Sequence, residues 1–411
     1  MEGCSRCSSC KWVPLSQIKS WRFAQVCPSI SRYNFHSYSG SGRLVLGLSL
    51  IDNRIDMNET FAEVAYRCTL CGACDSNCKI YRDDIDIVDV IQEIRATCVN
   101  EGQFLPEHMM LIDAMKREGN VFGEPKSVRG DWAEGISLKD INADKAEVLL
   151  HVGCRFSYDE DLREIVRGVT KLLKCAGVDF GTAGGEESCC GGRAYEIGFR
   201  GEARQFAEDV RRRVKASGAK TIVTACSDCY GTFKYLYPFV GMGLGISVKH
   251  ITEFLSELIA RGNLEPVEQV DMKVTYHDPC HLGRRGETYI EPWKGDKLLR
   301  PALQKRDGRM GVYDPPRNLI RILPGVELVE MERIREWSWC CGAGGGVWEA
   351  YPDFAGWSAK ERIEEAQWTG TDALVTSCGW CERNFRDAAA ELESKIKILD
   401  ITELVALSVK G

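Results

Sequence analysis

The 411-residue sequence has no surplus of basic charge: 53 Lys and Arg stand against 60 Asp and Glu, a formal net charge of −7. Phosphate recognition needs a basic excess or a concentrated basic face, so nucleic acid is excluded as a main partner. No 18-residue apolar run occurs, which excludes a transmembrane helix, and the opening MEGCSRCSSCKWVP puts cysteines where a secretory signal carries its apolar core. A cytoplasmic protein is expected, reaching a membrane only through a partner. No flavin or nicotinamide fingerprint is found, because the one glycine run, Gly344-Gly345-Gly346, lacks the G-x-G-x-x-G spacing after a strand. With 44% hydrophobic and 27% charged residues, disordered and fibrous classes are also out.

Cysteine, by contrast, is abundant: there are 20. A chain of this length needs no disulfide staples, and clustered Cys-x2-Cys spacings in a reducing compartment signify metal or redox chemistry. Cys68-x2-Cys71-x2-Cys74-x3-Cys78 matches the ligand run of a bacterial-type ferredoxin, in which the fourth cysteine serves the neighbouring 4Fe-4S cluster. A second run, Cys4-x2-Cys7-x2-Cys10, lacks its fourth member nearby, but Cys27-Pro28 follows after a 16-residue loop. Ferredoxin logic pairs Cys4, Cys7 and Cys10 with Cys78, and Cys68, Cys71 and Cys74 with Cys27, giving two cubane clusters. Zinc sites use two separated pairs rather than triple runs. The long Cys10 to Cys27 gap leaves a single cluster as the alternative.

Residues 1–81 therefore read as an α+β ferredoxin-like module with little sustained periodicity outside 61–67. Residues 82–145 read as a helical linker, with Ile87, Val90, Ile91 and Ile94 at helical spacing and Leu111, Ile112 and Met115 on a second segment. After residue 146 the texture becomes α/β. Four apolar strands run straight into a cysteine: EVLLHVGC at Cys154, KTIVTAC at Cys226, KVTYHDPC at Cys280 and DALVTSC at Cys378. Amphipathic stretches at 162–173 and 203–214 fit crossover helices on a mostly parallel sheet, in which cofactors sit beyond the carboxyl ends of strands.

The same order of signals occurs twice. Cys154, Cys189-Cys190-Gly191 and Cys226-x2-Cys229 form one five-cysteine frame, in 146–268. Cys280, Cys340-Cys341-Gly342 and Cys378-x2-Cys381 form the other, in 269–411. The gap from Cys280 to Cys340 is 59 residues against 34 in the first copy, and an insertion over 285–310 accounts for the difference.

These paired frames resemble the cysteine-rich "CCG" domains of the B-type and D-type components of heterodisulfide reductases, and the amino-terminal module is similar to the C-type component. The whole chain resembles the D-type, which fuses the C-type and B-type in one polypeptide. The resemblance implies an α/β domain of two pseudo-symmetric CCG repeats, each frame holding a non-cubane 4Fe-4S cluster. A disulfide lying between the clusters would be split by one electron from each, or formed in reverse. It also implies a flavin-containing or membrane-cytochrome redox subunit as electron partner, and a thiol or disulfide substrate.

His277 and His281 flank Cys280, and His281 is a candidate proton donor to a leaving thiolate, the alternative being a histidine that only hydrogen-bonds sulfur or backbone and tunes potential; Arg193, after the first Cys-Cys-Gly, reads as a salt-bridged residue, the alternative being a hold on an anionic group of a substrate. Cys98 and Cys175 lie outside every frame and read as buried fillers. The aromatic and basic stretch 11–43 reads as packing around a cubane or docking an electron donor. An adaptor role without its own substrate, in a larger anaerobic redox complex of flavin-linked, membrane-cytochrome-linked or benzoyl-CoA-reductase-like type, is the rival function. The insertion, with Tyr289 and Trp293, motivates it.

Overall fold

The structure is a computed structural model and describes residues 1–81, 85–290 and 306–410. Trp293 and most of the inserted stretch lie outside the described residues.

Two parallel sheets form the body. The first has the order β1-β3-β2-β4-β5, from β1 (Lys139–Asp140), β2 (Val148–His151), β3 (Phe180–Thr182), β4 (Thr221–Thr224) and β5 (Ser247–His250). The second has the order β7-β6-β8-β9, from β6 (Met272–Tyr276), β7 (Val326–Leu328), β8 (Ala373–Thr376) and β9 (Lys397–Asp400). Every pairing is parallel. Strands buried on both faces need unbroken apolar runs, and β2 and β8 are buried at every position. The four cysteine-terminated strands are β2, β4, β6 and β8, so in each sheet two central neighbours deliver their cysteines to the same edge.

The copies correspond beyond the cysteines. Each ends in a strand leading into a capped helix, Ile251–Ala260 and Ile401–Ser408, with the sequence Ile-Thr-Glu and a capping box made by His250 with Glu253 and by Asp400 with Glu403. These last helices cross over: Ile251–Ala260 packs on Asp314–Ile322 of the second copy, and Ile401–Ser408 on Arg163–Cys175 of the first.

Among the described residues, positions 1–81 form short helices and one isolated antiparallel bridge, Trp12 to Gln25, so the α+β expectation reduces to a helical module. Its Gly40–Ile51 helix, which periodicity did not reveal, starts where the Ser39 hydroxyl accepts from Gly42 N, and it packs on the Ile87–Asn100 helix. The stretch 11–43 folds back on the second copy, with Phe23 edge-on to Trp368 and Tyr33 against Phe354. Trp21 and Phe35 are exposed.

The helices Ile87–Asn100 and Pro106–Glu118 lie inside the assembly. Arg95, fully buried, donates to the carbonyls of Ala65, Tyr66 and Cys68 in the module, of Glu196 in the first copy and of Gly345 in the second. The glycine run is also a docking surface. A Cβ on Gly344 would stand 2.7 Å from Thr69 O, and one on Gly345 2.6 Å from Cys68 O, so only glycine lets this loop meet the module. Cys98 is buried as expected, but Cys175 is exposed, because it ends its helix on the solvent side.

Candidate iron-sulfur and redox site

The eight cysteines of 1–81 gather in two sets. Cys27, Cys68, Cys71 and Cys74 line one small cavity of about 20 Å³ between the Gly40–Ile51 helix and the 68–74 loop. Burial pushes the Cys27 thiol up to about 12, and Cys71 and Cys68 add to the shift. The other set surrounds Cys78, whose thiol burial raises to about 11 with Cys10, Cys4 and Cys7 contributing. Cys7 is exposed, so this outer set reaches the surface, while Cys71 is buried. Thiols crowded and buried like this resist ionising one by one, and a shared cationic core removes that cost; the donor sets fit cubanes.

The ten frame cysteines are all buried. The two copies set theirs in the same way. Gly191 N donates to Cys189 Sγ at 3.4 Å and Gly342 N to Cys340 Sγ at 3.4 Å. Both glycines have positive φ, +76° and +100°, and a Cβ there would run into a following helix, 3.0 Å from Ala203 O or 2.5 Å from Ala355 O. The Cys-Cys-Gly turn therefore holds two adjacent sulfurs against a helix at a distance that any side chain would forbid.

The buried thiols crowd together closely enough to shift one another's ionisation. In the first frame Cys154 and Cys189, Cys189 and Cys190, Cys190 and Cys229, and Cys229 and Cys226 act on one another. In the second Cys280 and Cys340, Cys340 and Cys341, Cys341 and Cys381, and Cys381 and Cys378 do so. Cys226 and Cys378 act on one another across the frames, and Cys71 of the module shares one buried cluster with Cys280 and Cys340. The neighbouring Cys189 lowers Cys154 to about 7, and Cys340 and Cys381 lower Cys341 to about 5. Cys190 and Cys378 are held well below the usual thiol range for the same reason. Each frame thus has two sulfurs poised as thiolate ligands among soft donors, a set that fits iron-sulfur ligation. Among the described residues no three His, Cys, Asp or Glu side chains close around a single ion.

All five cysteines of the first frame line a central cavity of about 50 Å³, which Trp380, His281 and Arg285 of the second copy complete. Asp228 and Trp380, both also lining it, are corresponding residues, each sitting between the cysteines of its Cys-x2-Cys. His281 donates from Nε2 to Glu196 at 2.7 Å and from Nδ1 to Asp228 at 3.1 Å. Burial opposes its charge, but the two carboxylates outweigh burial and hold the imidazolium protonated well above its ordinary range. Arg193 lies against Trp380 at 4.5 Å and pairs with Glu196 and Glu349. His277 lies elsewhere, accepting from Arg362 Nε at Nδ1 and packed on Phe385.

A wider groove of about 420 Å³ runs along the Arg200–Ser217 helix and shares Cys190, Tyr195 and Leu236 with the central cavity. Its far wall follows a π-helical turn, Thr232–Leu236, a feature frequent at functional sites. The described ends of the insertion touch the same turn, with Arg306 over the Tyr235 ring at 3.5 Å and the Tyr289 ring 6.0 Å from that of Tyr235.

Sequence reasoning missed Glu196, Asp228, Arg285 and Trp380. The unequal residues inside the two Cys-x2-Cys pairs, Ser-Asp and Gly-Trp, were the only local signal for Asp228 and Trp380.

A cysteine-rich domain profile matches residues 148–234 and 274–386, and a 4Fe-4S dicluster domain profile matches 1–80. The D-type component of the dihydromethanophenazine:CoB--CoM heterodisulfide reductase of Methanosarcina acetivorans is 29% identical, over 99% of this chain and 93% of its own. A probable iron-sulfur-binding oxidoreductase, FadF, of Bacillus subtilis is 30% identical over the whole chain, and the EtfAB:quinone oxidoreductase of Syntrophomonas wolfei is 31% identical over 84% of it. The chain spans about half the length of these two, 55% and 46%. A hypothetical protein from Helicobacter pylori shares the fold at a TM-score of 0.52 and 10% identity, covering 91% of this chain and 68% of that one. The chain belongs to the family of CCG-domain iron-sulfur proteins typified by the D-type component of heterodisulfide reductase.

Proposed function

We propose that this chain is the disulfide-handling subunit of a redox complex. Cys4, Cys7, Cys10 and Cys78 hold one cubane 4Fe-4S cluster, and Cys27, Cys68, Cys71 and Cys74 a second. Each CCG frame, related to the other by a pseudo-twofold axis, holds a non-cubane 4Fe-4S cluster. When bound, these groups supply one-electron chemistry at a site with no flavin of its own.

The residues supply the rest. Cys71 of the module shares a buried cluster with Cys280 and Cys340, and Cys226 and Cys378 act on one another across the frames, which supports a route from the inner set through the second frame to the first. A disulfide or related sulfur substrate reaches the first frame through the groove that ends at Cys190. Two electrons from a flavin-containing or cytochrome partner and two protons turn one disulfide into two thiols; the reverse flow forms the bond. His281 holds a proton at the cavity wall and, with Glu196 and Asp228 behind it, gives that proton to a leaving thiolate.

The observation that carries this reading is that all five first-frame thiols and a protonated histidine share one cavity between the copies. Iron and acid-labile sulfide analysis with EPR of the anaerobic protein, with and without candidate thiols, tests it. About sixteen irons and a thiol-dependent paramagnetic signal are expected, lost in Cys190→Ala; about eight irons with ferredoxin-type signals alone would overturn it.

A second reading, an electron-transfer adaptor without its own substrate, is favoured by the two relatives about twice this length, in which the matching region is one part of a larger protein. It expects full iron with no response to any thiol or disulfide.

A further inference from the structure

The inner thiol set of the module is surrounded by buried positive charge of an unusual kind. Arg43, Arg95 and Arg284 are 1%, 0% and 4% exposed. Arg43 lines the cavity with Cys27, Cys68, Cys71 and Cys74, and donates to Val64 O at 2.8 Å, Arg67 O at 2.5 Å and Ser29 Oγ at 2.9 Å. Arg95 donates to Cys68 O at 2.6 Å. Arg284 donates to Cys71 O at 2.8 Å and to Glu336 O and Ser338 O, and its buried Nη2 has no partner among the described residues.

Every one of these acceptors is a neutral carbonyl or hydroxyl. No ion pair with a carboxylate forms at Arg43, Arg95 or Arg284 among the described residues. Other buried arginines of the chain are neutralised: Arg129 by Glu187, Arg317 by Asp278, and Arg333 and Arg362 by Glu365. Asp75, next to Cys74, accepts from Ile87 N and Val88 N, and Glu196, which favours the charge of Arg95, is itself paired with Arg193 and His281. Three interior guanidinium groups with no carboxylate paired to them are strongly unfavourable unless something anionic sits among them. Among the described residues no buried arginine is hydrogen-bonded to the backbone of the outer set in this way, and its Cys7 faces solvent.

We infer that Arg43, Arg95 and Arg284 are the counter-charges of the group held by Cys27, Cys68, Cys71 and Cys74, and that they set its reduction potential above that of the group held by Cys4, Cys7, Cys10 and Cys78. The inference rests on the reading that these eight thiols hold two cubanes. Reduction adds a negative charge, which fixed cations in a low-dielectric surround stabilise more than exchangeable water does. The electron then settles at the inner set, beside Cys340 of the second frame. These arginines are positioning residues that act through charge.

An EPR-monitored redox titration of the anaerobic holoprotein tests it. Cys7→Ala identifies the outer signal as the one that disappears. The signal that persists should be the one of higher potential. Arg284→Gln should move that signal to lower potential and leave the outer one in place, and Arg284→Lys should restore it. Two cubane signals in the reverse order overturn the inference alone, as does an inner signal that Arg284→Gln leaves unmoved. A holoprotein with a single cubane signal overturns the two-cubane reading, and the inference with it. If Arg284→Gln does not assemble, the order of the two wild-type signals decides.

Discussion

The two CCG frames use the same backbone for different surroundings. The first opens on the central cavity with all five of its cysteines; of the second copy, that cavity is lined by His281, Arg285 and Trp380 and by none of the frame's cysteines. Behind the first frame, Glu187 accepts from Val152 N and Gly153 N and pairs with Arg129, which also donates to Cys154 Sγ. Burial disfavours that carboxylate, yet His151 and Arg129 outweigh burial and keep its pKa below the usual range. Behind the second, Asp278 accepts from Arg317 and from Arg335 N. Both strand ends are thus clamped by a buried acid and an arginine. What distinguishes the frames is the residue between the last two cysteines, a carboxylate in one and an indole in the other. The two frames share the Cys-Cys-Gly turn, and they differ in the residue that stands between their last two cysteines.

The sharpest test of that division compares His281 with Arg317. Replacing either strands buried carboxylates, so His281→Gln and Arg317→Gln should each destabilise by about 3–5 kcal/mol in thermal unfolding. Only His281→Gln should also slow disulfide turnover, by roughly 10²–10⁴-fold below the melting range. Equal losses of turnover in both would erase the division.

The shared turn predicts a smaller, paired effect. Gly191→Ala and Gly342→Ala should each cost roughly 2–4 kcal/mol, from positive φ and overpacking together. Gly342→Ala should be the worse, because its Cβ meets a backbone carbonyl at 2.5 Å. A reversed order in melting temperature would mean that the turns are not equivalent.

The helix caps separate the copies by pH. Burial lowers His250 from 6.5 to about 4, so its contribution is intact above pH 6.5 and is lost as pH falls toward 4. Burial raises Asp400 from 3.8 to about 7, so its contribution is intact below pH 4 and is lost as pH rises through 7. His250→Asn should flatten the acid limb of the melting-temperature profile, and Asp400→Asn the limb between pH 4 and 7, each by no more than a few kcal/mol. Coincident profiles would show that neither cap titrates in these windows.

Much of the arrangement was legible in the sequence. The four strands were visible because an apolar run ending in cysteine is a local pattern, and the repeat was visible because both frames share one order. The Gly40–Ile51 helix was not, since its residues carry no clean helical stripe and its place is settled by the Ile87–Asn100 helix against it. The Gly344-Gly345-Gly346 run lacks the spacing of a nucleotide loop, and its actual purpose depends on Cys68 and Thr69, which lie far away along the chain.

The sequence by itself determined which atoms are available as ligands and how they are grouped, because thiolate spacing along a short run is a short-range property. Only the tertiary structure decided that His281 meets Glu196 and Asp228, that Cys71 and Cys340 share one buried cluster, and that three arginines near the inner thiols have no carboxylate paired to them among the described residues. Charge compensation and cavities arise between residues far apart in the chain, and burial fixes their energies only once the copies and the module have closed on one another.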